Sequence, residues 1–367
     1  MNSLRYHIRF LRWHLGHTIP MIMQHASTYP ELPRKSTFHR FLDNIFIYLR
    51  DGAPCDDYDS YGMDIKGRKL NEFVTREVWK KIQYRKLTGE GLKDATLAQK
   101  LTYDSIMPIH ILQEKFCFYL FLEKHNIPTI PVLARTIDGS FYDYTSKDRP
   151  LSSYDRLFFK YSNALAGQGA CLLIQKDGHF YNKDCPVDLN SFLNTKQNYI
   201  VQPVYENHKD IKVLNPTTLN TLRIVTCRTG TGEYELWDPG MIRIGRSNSV
   251  VDNFSKGGIG VAIDKDGKLK QYGFLHDEKF SYFRSEKHPD TQVRFEGFQI
   301  PFYKEAVALI KKTHKLFPLL QTIGWDVAIT NDGPVLVEGN HDWGIEMPQV
   351  VQQNGYMTRL HEIYSDL

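Results

Sequence analysis

The stretch that decides the fold is Gly324-Trp325-Asp326, followed closely by Val335-Leu336-Val337-Glu338-Gly339-Asn340. The run from Thr322 to Thr330 is typical of a strand, and Asn331-Asp332-Gly333 is typical of a hairpin turn. The second stretch alternates, so that Glu338 and Asn340 point to one face. Because magnesium prefers carboxylate and amide oxygens and is usually completed by phosphate oxygens, this pattern predicts a site for a magnesium–nucleotide complex. An acidic hairpin edge in water is the alternative interpretation.

The composition is that of a folded globular protein. The 367 residues are 41% hydrophobic and 24% charged, which is enough for two or three domains. The formal net charge of +4 gives no electrostatic case for a nucleic-acid partner. The 5 cysteines are widely spaced without a C-x-x-C pair, which disfavours a disulfide framework and a structural zinc site and favours a reducing compartment.

The N-terminus does not resemble a signal peptide or a membrane span. Arg5, Arg9 and Arg12 interrupt it, and no apolar run in the chain approaches the ~20 residues that a span requires. One helical stripe nevertheless contains Leu4, Ile8, Leu11 and Leu15. Such a stripe packs on its own domain or lies on an anionic membrane surface. We therefore expect a cytoplasmic protein, with peripheral contact at the inner face of the membrane as the alternative.

The order of the elements predicts an α+β fold. Helix candidates cover 113–125 and 302–316, and between them short strand candidates are joined by hairpin turns such as Lys176-Asp177-Gly178. Antiparallel hairpins with a few helices indicate α+β rather than a doubly wound parallel sheet. We expect four regions: a mainly helical N-terminal region over residues 1–104, a linking αβ segment 105–150, a small lid subdomain 151–205 and a C-terminal subdomain 206–367.

Two segments are candidates for nucleotide contact. Lys160 ends an apolar strand and precedes a small-residue loop that contains Gly167 and Gly169, which favours phosphate binding or, more simply, a hairpin turn. The strand Tyr199 to Glu206 contains Pro203, which favours an edge strand. We expect an interrupted strand to leave backbone groups that pair with the edge of an adenine ring. We also expect Glu206, His208 or Asp210 to accept hydrogen bonds from the ribose hydroxyls.

Lys115, Lys160, the Gln202 to Glu206 strand, Arg223, Asp326 and Glu338-x-Asn340 follow one another in an order that resembles the ATP-grasp superfamily. Within it, three segments resemble the sugar-transfer-associated ATP-grasp family: Asn220-Thr221-Leu222-Arg223, Arg243-Ile244-Gly245 and Val251-Asp252-Asn253-Phe254-Ser255-Lys256-Gly257-Gly258-Ile259. The resemblance covers roughly Ser105 to Gln349 and leaves the N-terminal third unassigned.

The resemblance implies an ATP-grasp fold that binds ATP and magnesium between two subdomains. Phosphate contacts are implied for Lys115 and Lys160, a lid for Gly167 to Gly169, adenine contacts for Gln202, Pro203 and Val204, and metal ligation for Asp326, Glu338 and Asn340. The implied activity is an ADP-forming carboxylate–amine ligase in bacterial surface polysaccharide synthesis, joining an amino acid or amine to a sugar acid through an acyl phosphate.

Roles in catalysis and substrate binding are predicted for residues between the ATP segments. The predicted catalytic residues are Lys160, Arg223, Arg243 and Asn253. The predicted substrate contacts are Arg243, Asn253, Lys256, Gly257, Gly258 and Trp343. A kinase acting on a sugar hydroxyl, with Asp252 or Asp342 as general base, is one alternative function, and a nucleotide-binding regulatory subunit is another. The expected partner is a small molecule or glycan.

Overall fold

The computed structural model describes residues 12–88, 107–163, 169–247, 249, 251–252, 254, 257–276 and 282–364. Two compact units divide the chain: one contains 1–102, 274–285 and 344–367, and the other contains 103–273 and 286–343. Helices and strands are numbered below in chain order. No helix among the described residues is long and apolar enough to cross a membrane.

The first unit is mainly helical. Its helices are α1 (Ile19–Gln24), α2 (Thr37–Asp51), α3 (Arg76–Thr88), α8 (Glu346–Gln352) and α9 (Met357–Ile363). The Ser36 hydroxyl accepts from the His39 N–H at the start of α2, and Gly52 ends it with a φ of 96°, which favours glycine. Buried Gln349 accepts from the Val74 N–H and donates to the Val74 carbonyl, so its side chain replaces a strand partner.

The second unit contains a seven-stranded antiparallel sheet, which we call the lid sheet. Its strand order is β2-β1-β7-β3-β4-β5-β6. The strands are β1 (Ala134–Ile137), β2 (Ser140–Asp143), β3 (Arg156–Tyr161), β4 (Cys171–Lys176), β5 (His179–Asn182), β6 (Cys185–Val187) and β7 (Tyr199–Pro203). One face packs Leu157, Phe159, Leu173 and Val201 into an apolar core with the short helix α5 (Leu189–Asn194). The opposite face carries Phe158, Lys160, Leu172 and Gln202, because side chains alternate along a strand.

A second sheet, which we call the base sheet, has the order β13-β12-β11-β10-β8-β14-β15, with β9 paired to β8. Its strands are β8 (Thr221–Arg228), β9 (Tyr234–Leu236), β10 (Met241–Ile244), β11 (Ile259–Ile263), β12 (Leu269–His276), β13 (Tyr282–Ser285), β14 (Thr322–Thr330) and β15 (Gly333–Asn340). Residues 274–285, which include β13, are assigned to the first unit. Helix α7 (Tyr303–His314) covers the apolar face, where Ile310, Ile323 and Trp325 are fully buried.

One segment links the two sheets of the second unit. After α4 (Lys115–Lys124), the N–H of Leu336 in β15 donates to the Pro128 carbonyl, at 2.9 Å. Five residues later, the Leu133 N–H donates to the Val201 carbonyl of the lid sheet, at 2.8 Å. The segment is therefore bonded to the base sheet at one end and to the lid sheet at the other.

The predicted fold class is confirmed, since antiparallel sheets carry helices and a helical region precedes them. The elements differ from the predicted regions at two boundaries. The predicted linking segment 105–150 contains β1 and β2, which belong to the lid sheet because β1 pairs with β7. The last helices, 344–367, group with the N-terminal helical unit rather than with 206–343.

The prediction that Pro203 marks an edge strand is wrong. Strand β7 is central, between β1 and β3. Pairing with β3 continues to Pro203, whereas pairing with β1 ends at Val201. In an antiparallel strand, the backbone groups of residues two apart point to the same neighbouring strand. The carbonyl of Val201 points towards β1, because it accepts from the Leu133 N–H, so the nitrogen of Pro203 points to that side too. A proline is tolerated there because no ladder donor is lost.

Gly324 in β14 is required by a close contact. A Cβ built on it lies 2.3 Å from the Cβ of Trp343, whereas a Cβ on Gly230, in the turn after β8, meets nothing within 4 Å. We predict that Gly324→Ala lowers the free energy of unfolding by about 1–3 kcal/mol through overpacking, and that Gly230→Ala changes it little. Urea unfolding of both variants checks this, and equal stabilities would contradict the contact.

Candidate functional site

A cleft between the two sheets of the second unit brings most of the predicted site residues together. The lid sheet lines it with Phe158, Lys160, Leu172 and Gln202. The base sheet lines it with Thr221, Arg243, Asp326 and Glu338. These residues share one face of each sheet, because Asp326 lies opposite both Arg223 in β8 and Glu338 in β15, and Arg243 lies opposite Thr221. Charged side chains thus form a row across four strands.

A β-bulge sets the direction of Glu338. Asp326 pairs with Glu338, but the next residue, Val327, pairs with Leu336, so Val337 is the extra residue. Strict alternation would place Leu336 and Glu338 on the same face. The bulge instead leaves Leu336 fully buried and turns Val337 and Glu338 to the cleft.

Asp326 is buried between two arginines. Arg223 donates from Nε to Oδ1 at 2.6 Å and from Nη2 to Oδ2 at 3.2 Å, while Arg243 Nη2 lies 2.8 Å from Oδ2. Burial alone would raise the pKa of Asp326, but the charges and hydrogen bonds of the two guanidinium groups hold it below its ordinary value. Arg223 also donates to the Trp343 carbonyl and is not among the cleft-lining residues.

Arg243 connects Asp326 to a second carboxylate on the cleft wall. Its Nε lies 3.6 Å from Asp252 Oδ2, and that oxygen also accepts from the Thr221 N–H and hydroxyl. Burial raises the pKa of Asp252, and Arg243 opposes that rise. For Arg243 itself, burial would lower the pKa, but the two carboxylates outweigh burial and raise it. Arg243 therefore stays charged at any physiological pH.

Two lysines approach the same carboxylates from the lid side. Lys115 Nζ lies 3.5 Å from Glu338 Oε1. Burial lowers the pKa of Lys160, and the like charge of Lys115 lowers it further, whereas the carboxylate of Glu338 raises it. Lys115 and Lys160 thus bring two like charges to one part of the cleft, which favours a ligand with several negative charges.

A buried hydrogen-bond network fixes the position of Lys115. Glu114, the N-cap of α4, accepts from the Cys117 N–H at Oε2, 2.6 Å away, and from the Ser162 hydroxyl at Oε1, which also lies 3.3 Å from Arg135 Nη2. The Lys115 N–H donates to the Ser162 carbonyl at 2.7 Å. Since Ser162 follows β3 directly, the network ties the start of α4 to the strand that carries Lys160.

Glu206 marks another charged group on the cleft wall. Its two oxygens accept from Arg156 and Lys212, each at 2.8 Å. The hydrogen bond from Lys212 is the main cause that lowers the pKa of Glu206. Of the three predicted ribose acceptors, Glu206 lines the cleft, whereas His208 and Asp210 are at the start of α6 (Lys209–Lys212) and are not among its lining residues.

The end of β7 and the residue that follows it provide an apolar wall. Pro203 and Val204 line the cleft next to Phe158 and Leu172. The Gln202 amide lines it too, but its Nε2 donates to the Ile130 carbonyl at 3.1 Å. Such a wall suits a flat heteroaromatic ring, with backbone rather than side-chain groups giving the polar contacts.

Fit to a magnesium ion can be judged from the donors present. Glu338 is partly exposed on the cleft, and Asn340 has a buried Nδ2 without a hydrogen-bond partner among the described residues. Turning that amide over places its oxygen at the same position. Asp326 lies opposite Glu338, although arginines occupy both its oxygens. In the portion of the chain that the structure describes, no three His, Cys, Asp or Glu side chains form a metal group. The carboxylate of Glu338 and the amide of Asn340 are oxygen donors of the kind that magnesium takes when phosphate oxygens complete its coordination.

Some predicted residues are not on the cleft. Trp343 is buried; its ring donates to the Thr322 hydroxyl and packs on Trp237, so the predicted substrate contact is corrected to a core position beside Gly324. Gly257 and Gly258 precede β11 and do not line the cleft, and Gly169, with a φ of 68°, packs against Tyr161. Gly167, Asn253 and Lys256 lie outside the described residues.

Sequence reasoning missed four residues that build the site: Glu114, Arg156, Lys212 and Thr221. Glu114 was missed because the predicted helix starts at Gln113, one residue before it, and glutamate is not among the usual N-cap residues. The other three carry no local signal, because their partners are between 6 and 50 residues away in the chain.

Comparison with known families agrees with this geometry. The model of the family described as sugar-transfer associated ATP-grasp matches residues 99–365. The chain belongs to the sugar-transfer associated ATP-grasp family. The predicted resemblance is thus confirmed, and the match extends to both sides of the predicted range. No curated protein sequence matches the chain.

Solved ATP-grasp structures show remote similarity. An N5-carboxyaminoimidazole ribonucleotide synthetase in complex with ADP is 13% identical, with a TM-score of 0.37 over 66% of this chain and 46% of that one. The synthetase from Thermotoga maritima is 10% identical, with a TM-score of 0.34 over 64% and 43%. D-alanine–D-alanine ligase from Bacillus anthracis is 13% identical, with a TM-score of 0.34 over 69% and 65%. The chain spans less than half the length of the synthetases.

Replacing Asp326 in this ATP-grasp cleft should deprive two buried arginines, Arg223 and Arg243, of the carboxylate that they share. We predict that Asp326→Asn lowers the free energy of unfolding by about 3–5 kcal/mol, because uncompensated charges remain buried. Since the folded pKa of Asp326 lies below its ordinary value, its contribution is present above about pH 4 and is lost as pH falls through the folded pKa.

Urea midpoints measured at neutral and acidic pH test this, with Asp332→Asn in the exposed β14–β15 turn as the matched control. Wild type and Asp332→Asn should lose stability on acidification more steeply than Asp326→Asn. Parallel acid profiles for all three proteins would contradict the assignment.

The Glu114 network gives a second test. We expect Glu114→Ala to destabilise the protein by about 3 kcal/mol, since it removes a helix cap and two buried partners. Glu114→Gln keeps an acceptor for the Cys117 N–H and should cost about half as much. Glu123→Ala, on the exposed side of the same helix, is the control in thermal unfolding. If it is as damaging as Glu114→Ala, the network has no special role.

Proposed function

We propose that this protein is an ATP- and magnesium-dependent carboxylate–amine ligase that forms an amide through an acyl phosphate. The observation that carries the proposal is the convergence of Lys115, Lys160 and Arg243 on the Asp326–Glu338 pair in one cleft. Membership of the sugar-transfer associated ATP-grasp family supports it. The substrates we propose are a sugar acid and an amino acid or amine, in bacterial surface polysaccharide biosynthesis.

In the proposed complex, the base of ATP lies against Phe158, Leu172 and the backbone of Val204. Glu206 accepts from the ribose hydroxyls after exchanging one of its two cationic partners. Lys115 and Lys160 contact the phosphates from the lid side. Glu338 and Asn340, with Asp326 beside them, hold magnesium, which neutralises phosphate charge when bound.

The reaction has two steps. A carboxylate oxygen of the acid attacks the γ-phosphorus, the bond from that phosphorus to the bridging oxygen breaks, and ADP leaves. The amine nitrogen then attacks the carbonyl carbon of the acyl phosphate, the bond from that carbon to the phosphate oxygen breaks, and the amine releases a proton to solvent. Arg243 stabilises the charge that develops on the transferred phosphoryl group. Alignment of the reactants can contribute about 7–11 kcal/mol.

A kinase acting on a sugar hydroxyl is the second candidate, favoured by Asp252. This carboxylate is buried on the cleft wall, and its pKa is raised by burial, as a general base requires. The other predicted base, Asp342, is exposed and is not among the cleft-lining residues. A kinase makes a stable phosphate ester without an amine, so the two functions differ in their products.

The deciding experiment is a screen of sugar acids with amines for phosphate release and for product mass. A ligase releases phosphate with both substrates present and gives an amide, and we expect Glu338→Gln to lower kcat at least ~100-fold because phosphate charge is no longer neutralised. Glu296→Gln, the same change at an exposed position, should leave turnover unchanged. A phosphate ester formed without amine would replace the ligase with the kinase.

Binding of magnesium–ATP can be measured without knowing the substrates. At ~100 times its Kd, it should stabilise wild type by about 2.7 kcal/mol, seen as a rise in Tm. The rise should persist in Glu296→Gln and shrink in Glu338→Gln. A wild-type Tm that does not respond to magnesium–ATP would contradict both candidate functions.

A further inference from the structure

The helical unit has an apolar face that points to solvent. Along α2, Phe38, Leu42, Phe46 and Leu49 fall at the spacing of one helical stripe, and their exposed fractions range from 44 to 71%. The opposite side of α2 buries Arg40, Asn44 and Asp51. Ile47 and Tyr48 are buried on that side as well, so the buried side of α2 mixes polar and apolar groups while its solvent side carries the apolar stripe.

Specific partners hold α2 in this orientation. Arg40 Nη2 lies 3.3 Å from Asp59 Oδ1, and Asp51 accepts from the Thr75 hydroxyl at 2.7 Å. Tyr48, on the same side, contacts the ring of His14. Turning the helix over would break these buried contacts, so the exposed stripe is a fixed feature of the unit.

A second helical segment, 12–24, extends the apolar face. It runs antiparallel to α2, because the rings of His14 and Tyr48 are 5.3 Å apart and Arg40 Nη2 donates to the Met23 carbonyl at 3.2 Å. In this register Trp13 is level with Leu49 and Met21 with Leu42, and both are more than half exposed. We call these six side chains the outward face: Trp13, Met21, Phe38, Leu42, Phe46 and Leu49.

The charge of the adjoining chain indicates what covers the outward face. The first 30 residues contain Arg5, Arg9 and Arg12 and no aspartate or glutamate. In a twofold dimer built on this face, Arg12 beside Trp13 would add the same charge to the interface from both copies, which costs free energy. A surface of anionic lipid has the opposite charge, and aromatic and aliphatic side chains enter its headgroup region.

We propose that the outward face docks on an anionic membrane surface, with Phe46, Leu49 and Trp13 entering the interface and Arg12 contacting lipid phosphates. The contact is peripheral, and it is independent of the ligase proposal because none of its residues lines the cleft.

Flotation of the full-length protein with vesicles tests the proposal. Wild type should float with phosphatidylcholine vesicles containing about 30% phosphatidylglycerol, and less with phosphatidylcholine alone or at high salt. Leu42→Ser with Leu49→Ser should lower the partition coefficient roughly tenfold for each leucine. Leu120→Ser with Leu319→Ser, at two other exposed leucines, is the matched control and should float like wild type.

Circular dichroism should show that both double variants are folded. If either of them is unfolded, Phe46→Ser provides an independent test of the outward face. Wild type that stays in solution with either vesicle, or serine variants that float as well as wild type, would overturn the proposal. Sedimentation that shows a dimer dissociated by the Leu42 and Leu49 changes, without vesicle binding by wild type, would assign the outward face to a second copy instead.

Discussion

The site depends on one buried carboxylate, Asp326, held by two arginines from neighbouring strands. Burying three charges is unfavourable unless they are paired, so β8, β10 and β14 must meet in the register that the structure shows. That register also places Glu338 opposite Asp326 and Thr221 opposite Arg243. The charged face of the base sheet is thus fixed by a single cluster.

The cluster leaves a cleft in which charge is nearly balanced but unevenly placed. The carboxylates are on the base sheet, where arginines already neutralise Asp326, while Lys115 and Lys160 approach from the lid side. A ligand that brings several negative charges between them relieves the repulsion of the two lysines. This is why we favour a polyphosphate over a neutral ligand.

Local patterns were enough to predict much of the architecture. The hairpin that carries Asp326 and Glu338 was predicted from its turn sequence and alternation, and β14 and β15 confirm it. Lys160 was predicted at the end of a strand, and β3 ends one residue later. These features depend on neighbours in sequence, which is what turn residues and periodicity report.

Features set by distant partners could not be predicted. Nothing in the alternation of β15 reveals the extra residue Val337, because the bulge results from pairing with β14. Asp326 was predicted as a metal ligand, but a sequence does not show that two arginines bind it. Pro203 is likewise tolerated in a central strand because β1 begins only at Ala134, opposite Val201, which the sequence does not show.

The segments that flank strands β7, β8 and β10 at the cleft are connected by side-chain amides rather than by charged groups. Asn207, which follows the apolar wall, exchanges hydrogen bonds with the backbone of Asn220, just before β8. Asn220 accepts from the Gly245 N–H, directly after the strand that carries Arg243. The segment that follows the apolar wall and the strand that carries Arg243 therefore share one buried network. Because the oxygen and the nitrogen of each amide both make hydrogen bonds, a shift at either place distorts hydrogen bonds at the other, so the network couples the two sides of the proposed ATP site.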